Sequence, residues 1–220
     1  MPSKPTAPTQ EPQPFIKNLR RPDETLVQEK QGRLDQLAKP LQTCEECRLC
    51  QGRTNLVYGV GNPDADLMFV GEGPGRDEDL QGEPFVGRAG KLLTDMIQKG
   101  MKIRREDVYI ANIVKCRPPD NRNPEPDEME ACLPNLIEQV RIVDPKIIVC
   151  LGATAVKGLL KERMGITKLR GNWRTFEGIP VMPTLHPAYL LRNPPAKKDA
   201  WEDLKQVIAV MNGEIQPNSS

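Results

Sequence analysis

The sequence predicts an α/β protein, a three-layer α/β/α domain built on a central four-stranded parallel sheet. Two observations predict it. Four short apolar runs, Asp66 to Val70, Val108 to Val114, Lys146 to Leu151 and Ile179 to Leu185, are flanked by turn residues and read as strands. Between and after them, apolar residues recur at helical spacing over Gly87 to Lys99, Pro126 to Val143, Ala153 to Lys161 and Asp199 to Met211. Strands that alternate with helices pair in parallel, because each crossover helix must lie on a face of the sheet, and both faces are then covered.

The elements follow in order. From Met1 to about Phe15 the chain is rich in Pro, Ser, Thr and Gln and has no apolar segment of the kind a signal peptide needs. Residues 1–23 are therefore expected as a disordered extension, 24–213 as the folded domain and 214–220 as a short tail. Glu24 to Lys39 has helical spacing at Leu26, Val27, Leu34 and Leu37, and Pro40 closes the pattern just before Cys44. This helix is expected to lie as a lid on the core. Each of the four strands then runs into a chemically informative string. Gly71 to Gly75 follows the first, Lys115 and Cys116 the second, Gly152 the third, and His186 and Pro187 the fourth. Ligands of open α/β sheets bind beyond the carboxyl ends of the strands, so these strings are expected to share one mouth.

Composition narrows the function. With 220 residues and 38% hydrophobic content the chain suits one core with an extension. A net charge of +1 excludes a protein that coats nucleic acid through bulk charge, leaving local basic faces such as Lys168, Arg170 and Arg174, or Arg192, Lys197 and Lys198. No apolar run approaches the length that crosses a bilayer, and a soluble cytoplasmic protein is expected. Six cysteines in such a chain point to metal or cluster ligation in place of disulfides.

Cys44 and Cys47 form a C-x-x-C pair, and Cys116 and Cys132 stand singly far downstream. A pair plus two distant singles closes one tetrathiolate site around a metal or cluster, and stitches the start of the domain to its middle. Cys50 shares ferredoxin-like spacing with the pair, but Thr54 and Asn55 stand where that pattern needs Cys-Pro, so Cys50 is set aside as a non-ligand. Cys150, inside an apolar strand, reads as a small core residue.

The string Gly71-Glu72-Gly73-Pro74-Gly75 is either a tight strand-to-helix turn or a loop whose glycines let main-chain N–H groups and one carboxylate approach a planar ligand. It lacks the Gly-Lys-Ser/Thr of a phosphate loop, and Pro74 and Gly75 break dinucleotide-loop spacing. Asn112 lies in an otherwise apolar strand, where its amide must either tie down a loop or read a ligand; one acceptor and two donors suffice for the N3–H and O4 of a pyrimidine. Phe85 is core or a stacking platform. His186, the single histidine, sits after the last strand and before Pro187, where a working residue is expected.

These strings resemble the family 4 uracil-DNA glycosylases, the iron-sulfur branch of the uracil-DNA glycosylase superfamily, from about Thr43 to Met211. The resemblance is carried by Cys44-Glu45-Glu46-Cys47, the glycine turn, Pro84-Phe85-Val86-Gly87-Arg88-Ala89-Gly90, Asn112-Ile113-Val114-Lys115-Cys116-Arg117-Pro118-Pro119, and His186-Pro187 followed by Leu190-Leu191-Arg192-Asn193. It implies a [4Fe-4S] cluster on Cys44, Cys47, Cys116 and Cys132, and a uracil pocket of Glu72, Gly73, Phe85, Asn112 and His186. It implies hydrolysis of the N-glycosidic bond of deoxyuridine in single- and double-stranded DNA, with His186 stabilising the departing base. Glu72 keeps two roles, holding the attacking water or contacting uracil. Leu190, Leu191 and Arg192 are the expected wedge into the duplex, and Glu78 the expected barrier to the thymine methyl. In the better-known branch the glycine turn carries an aspartate and a tyrosine; here Gly73 and Gly75 take those places. A related branch traps the sugar through a histidine in an inserted basic loop, whereas Cys116 to Pro124 is short and holds none, so turnover is expected. The expected partner is uracil-containing DNA, bound by a monomer, with the N-terminal tail as a docking segment for a replication or repair partner. The rivals are a non-catalytic cluster- or zinc-bearing nucleic-acid-binding module and an electron-transfer protein.

Overall fold

Leu67-Met68-Phe69-Val70-Gly71 shows no polar alternation, and such a run is stable only as a strand covered on both faces. A computed structural model, which describes residues 16–17, 19–20 and 23–217, places it at the centre of the sheet with every residue buried. In chain order the elements are α1 (Glu24–Leu41), β1 (Val60–Gly61), β2 (Leu67–Gly71), α2 (Arg76–Gln81), α3 (Arg88–Asp95), β3 (Tyr109–Asn112), α4 (Pro126–Val143), β4 (Ile147–Leu151), α5 (Ala153–Leu160), α6 (Ile166–Leu169), β5 (Arg174–Phe176), β6 (Ile179–Thr184), α7 (Pro187–Arg192) and α8 (Lys197–Met211).

Among the described residues the strands form one six-stranded sheet in the order β1-β3-β2-β4-β6-β5. The four expected strands pair in parallel, β3 with β2, β2 with β4 and β4 with β6. The expectation of four strands is corrected by two antiparallel edges, β1 on β3 and β5 on β6. Neither has a sequence signature of its own. β1 is two residues long, and β5 exists because Glu177 (φ 48°) and Gly178 (φ 84°) make the two-residue turn that folds it back on β6.

Alternate residues of each strand point to opposite faces, giving two separate cores. Met68, Val70, Ala111, Ile148 and Cys150 meet α1, α4 and α5 through Leu34, Leu133, Leu136 and Val156. Leu67, Phe69, Ile110, Val149 and Met182 meet α3 and α8 through Leu93, Leu204 and Val207. Each Val, Leu, Ile, Phe or Met among them contributes roughly 1.5–3 kcal/mol on burial.

Helix α1 starts where Asp23 accepts hydrogen bonds from the N–H groups of Thr25 and Leu26, and it runs to Leu41, carrying Pro40 in its last turn instead of stopping before it. It packs on α4, pinned by buried Lys30, whose Nζ donates to Asp64 Oδ1 (2.7 Å) and to the Val143 carbonyl (2.8 Å). α3 ends early and passes into a wider π turn at Met96–Met101. The expected boundary at 23 is also corrected. Ile16 is 1% exposed within the α3/α8 core, the Lys17 N–H donates to Asn212 Oδ1 (2.8 Å), and Arg20 pairs with Asp64 and Asp66. A buried isoleucine and two buried carboxylates fix this segment, although nothing periodic in the sequence announces it. Most of the remaining extension and residues 218–220 lie outside the described residues. No helix among the described residues is long and apolar enough to cross a membrane.

Candidate active site

Strand β2 leads away to β3 on one side while its other neighbour, β4, leads on towards β6, so the carboxyl ends of β2 and β4 diverge at a topological switch point, the usual ligand crevice of such sheets. A cleft of about 430 Å³ opens there, lined by Glu72, Phe85, Asn112, His186, Tyr189 and Arg192 among others.

Asn112 ends β3, opposite Gly71 of β2. Its side chain is 1% exposed, and neither Oδ1 nor Nδ2 has a hydrogen-bond partner. Leaving a buried polar group unmet costs about 1–3 kcal/mol, so this carboxamide is arranged for something that enters the cleft. Gly71 makes the arrangement possible: a Cβ there would overlap both Asn112 Oδ1 and the Phe85 ring.

Phe85 adopts a left-handed backbone (φ 56°), costly for an aromatic residue, and is held there by its neighbours. The Val86 and Gly87 N–H groups both donate to Glu78 Oε1 (3.0 and 2.8 Å), and the Gly75 N–H donates to Glu78 Oε2 (3.2 Å). Glu78, at the start of α2, thus ties the glycine turn to the Phe85 loop, and it borders the cleft. The Phe85 ring lies 5.7 Å from that of His186, tilted by 35°.

His186 caps α7. Its Nδ1 accepts from the Ala188 N–H (3.1 Å), which fixes the neutral tautomer with the proton on Nε2. Burial, helped by nearby Arg192, lowers its pKa to about 4, so the ring is neutral at ordinary pH. Glu72, in the glycine turn, lines the same cleft and accepts a hydrogen bond from Thr154 Oγ1 at the start of α5; burial raises its pKa and the Thr154 bond opposes the rise. The cleft therefore combines an aromatic wall, an unmet carboxamide, a neutral imidazole donor and a carboxyl group of raised pKa.

The expected wedge is brought only partly to the rim. Arg192 is exposed on the cleft, Leu191 is half-buried, and Leu190 is 1% exposed among Leu185, Ala196 and Ala200. Leu190 is corrected from wedge to core: exposing it would empty its own packing site. Tyr189, which sequence reading passed over, is 39% exposed on the cleft instead, its Oη accepting from Asn193 Nδ2 (2.7 Å).

A second cavity, on the α4 side of β3, is lined by Cys44, Cys47, Cys116 and Cys132. Cys50, set aside above, lines it as well. None of these thiols is in a disulfide. Arg53 donates through Nη1 to Cys116 Sγ (3.3 Å) and to the Cys44 carbonyl (3.2 Å). Burial pushes the Cys116 thiol up to about 11, and also raises those of Cys47 and Cys132, so as thiolates they need a cationic occupant. Among the described residues no three Cys, His, Asp or Glu side chains converge on one ion. Four thiols set around a space fit a cluster that brings its own iron and sulfide. Arg53 and Thr154 were missed by sequence reading, which named Lys115 beyond its strand but gave it no role. Only the position of Lys115, between Asn112 and Cys116, offered a signal.

A profile of the Uracil DNA glycosylase superfamily matches residues 58–205. The chain is 48% identical to a Type-4 uracil-DNA glycosylase of Sulfurisphaera tokodaii, covering 79% of this chain and 83% of that protein. It is 51% identical to the Type-4 enzyme of Thermotoga maritima, over 71% of this chain and 82% of that one. Against the Type-4 enzyme of Archaeoglobus fulgidus the identity is 43%, over 84% and 96% of the two chains.

Proposed function

The chain belongs to the uracil-DNA glycosylase superfamily, and we propose that the cleft at the ends of β2, β3 and β6 is where it cuts the N-glycosidic bond of deoxyuridine. It is a DNA-repair hydrolase that releases uracil and leaves an abasic site. The single observation that carries the assignment of the cleft is the buried Asn112 carboxamide with both polar atoms unmet. The neutral Nε2–H donor of His186 beside it suits the charge that gathers on a departing base, which binding alone would not require.

The mechanism follows from these groups. The target nucleotide leaves the stack at a cost of a few kcal/mol, which cleft contacts offset. Uracil stacks on Phe85, presents N3–H and O4 to Asn112, and meets main-chain groups near Gly73 with O2. Cytosine carries the opposite donor and acceptor pattern at N3 and C4, and is refused because buried polar groups would stay unpaired. As the glycosidic bond stretches, charge gathers on O2, and the Nε2–H of His186 stabilises it; one such donor is worth about 3–4 kcal/mol in the transition state. Glu72 contacts the base or steadies the attacking water, and Thr154 fixes its carboxyl. Glu78 excludes thymine by holding the wall on which Phe85 stands, and a Glu78→Ala enzyme that still ignores T in G·T mispairs overturns that role. Arg192, Leu191 and Tyr189 are the rim groups that face the gap left in the duplex.

Cys44, Cys47, Cys116 and Cys132 would hold a [4Fe-4S] cluster. Hydrolysis moves no electrons, so the cluster would supply cross-linking between the segment after α1, the end of β3 and α4. The enzyme works in the cytoplasm on DNA, single- or double-stranded. Uracil release from an oligonucleotide, read as alkali-labile cleavage with wild type and His186→Ala in parallel, tests the reading. Loss of release by roughly 10²–10³ in kcat is expected for the variant. Equal rates would remove His186 from the mechanism, and no release by wild type would end the assignment.

A further inference from the structure

We propose that Lys115 is a positioning residue that ties the cysteine cavity to the uracil-reading end of β3, so that the two sites hold or fail together. The inference rests on the function proposed above. Lys115 is 1% exposed, one of the largest fully buried side chains, and its Nζ donates to the Asn112 carbonyl (2.9 Å) and to Gln139 Oε1. It lies 5.8 Å from the centre of the Tyr58 ring. None of these partners carries a negative charge, and a buried ammonium is costly without one.

The main chain of the same residue belongs to the other site. Lys115 lines the cysteine cavity and is joined through the chain to Cys116, another residue of that lining. Four thiolates around a [4Fe-4S] core carry a net negative charge, and Arg53, which donates to Cys116 Sγ, would meet it. Lys115 thus has its main chain bonded to Cys116 and its Nζ on the carbonyl of Asn112. A displaced Asn112 would not move alone. The next two residues continue the pairing with the glycine turn, Ile113 N–H donating to the Gly71 carbonyl (2.9 Å) and Val114 N–H to that of Glu72 (3.1 Å). With the cysteine site empty, the main chain at Lys115 and Cys116 loses its anchor, and the end of β3 that carries Asn112 loses its clamp.

The test compares three preparations of the full-length protein: iron-loaded wild type, wild type stripped with a chelator, and Lys115→Met, which keeps length and removes charge. Iron per chain and visible absorbance report the cluster, inhibition of excision by free uracil reports the pocket, and the melting temperature reports the fold. Lys115→Met is expected to lose iron to a mild chelator several-fold faster than wild type. In both the variant and the stripped wild type, the inhibition constant for uracil should rise about tenfold, as when a hydrogen bond to the ring is lost. A purely structural lysine would lower the melting temperature and leave the uracil affinity of the folded fraction unchanged. That result, or stripped wild type binding uracil as tightly as loaded enzyme, overturns the link. Should Lys115→Met fail to fold, Gln139→Leu, which removes the other side-chain partner, and the stripped wild type make the same comparison. If loaded wild type neither excises nor responds to uracil, the proposed function fails instead of the link.

Discussion

At His186 the two ring nitrogens are told apart by their surroundings: Nδ1 accepts the Ala188 N–H, and Nε2 keeps the proton that a leaving uracil needs. The pKa of about 4 gives this a pH signature. The folded value lies below that of an unperturbed imidazole, about 6.5, so the ring stays neutral as pH falls to about 4. The acid limb of kcat/KM assigned to His186 is expected near 4, and a rate that halves near 6.5 would show that the ring titrates freely. The unfolded chain takes up this proton first, so the site lowers stability between about 6.5 and 4 and has no such effect above that window. Thr154 acts on the neighbouring carboxyl. Its hydroxyl opposes the burial that raises Glu72, so Thr154→Val should move the acid limb due to Glu72 to higher pH, while Thr154→Ser leaves it in place. A pH–rate series on the two variants decides whether that bond matters.

α7 shows how one short element divides its duties. Leu190 points into the packing between α7 and α8, whereas Tyr189 and Arg192 face the cleft. Leu190→Ala is therefore expected to cost about 2–5 kcal/mol of stability in denaturant unfolding and to spare the excision rate of the folded protein. Arg192→Ala should leave stability within about 0.5 kcal/mol and weaken excision from duplex more than from single strands, since only a duplex has a gap to fill. The opposite pattern would return Leu190 to the wedge. The loop between α2 and α3 is a second case. The strained Phe85 persists because Glu78 holds the N–H groups on either side of the cleft wall, so rigidity here comes from a carboxylate in α2 and not from the loop's own sequence.

Across the whole molecule, the cysteine cavity joins three parts of the chain that the sheet alone does not hold together. Cys116→Ala is expected to lower solubility and melting temperature before it alters base choice. A variant that folded and bound DNA normally but lost only catalysis would instead give the cysteines a chemical role. The alternation of strands and helices, the four parallel strands, and Glu72, Phe85, Asn112, His186 and the four paired and single cysteines were legible in the chain, because apolar periodicity and short motifs are local properties. Tyr189 on the cleft and Cys50 in the cysteine cavity were not. Nor were the edge strands, the docking of Ile16, the burial of Leu190 and the partners of Glu72 and Lys115. Glu72 and Thr154 are 82 positions apart, and Lys115 and Gln139 are 24 apart. Nothing in either neighbourhood names the other. By itself the sequence determined which groups the protein has available for reading and releasing a base, and on which strand ends they stand. Only the tertiary structure decided which of them stay unpaired, neutral or clamped, because those states are set by burial and by partners that the chain meets only once the sheet has formed.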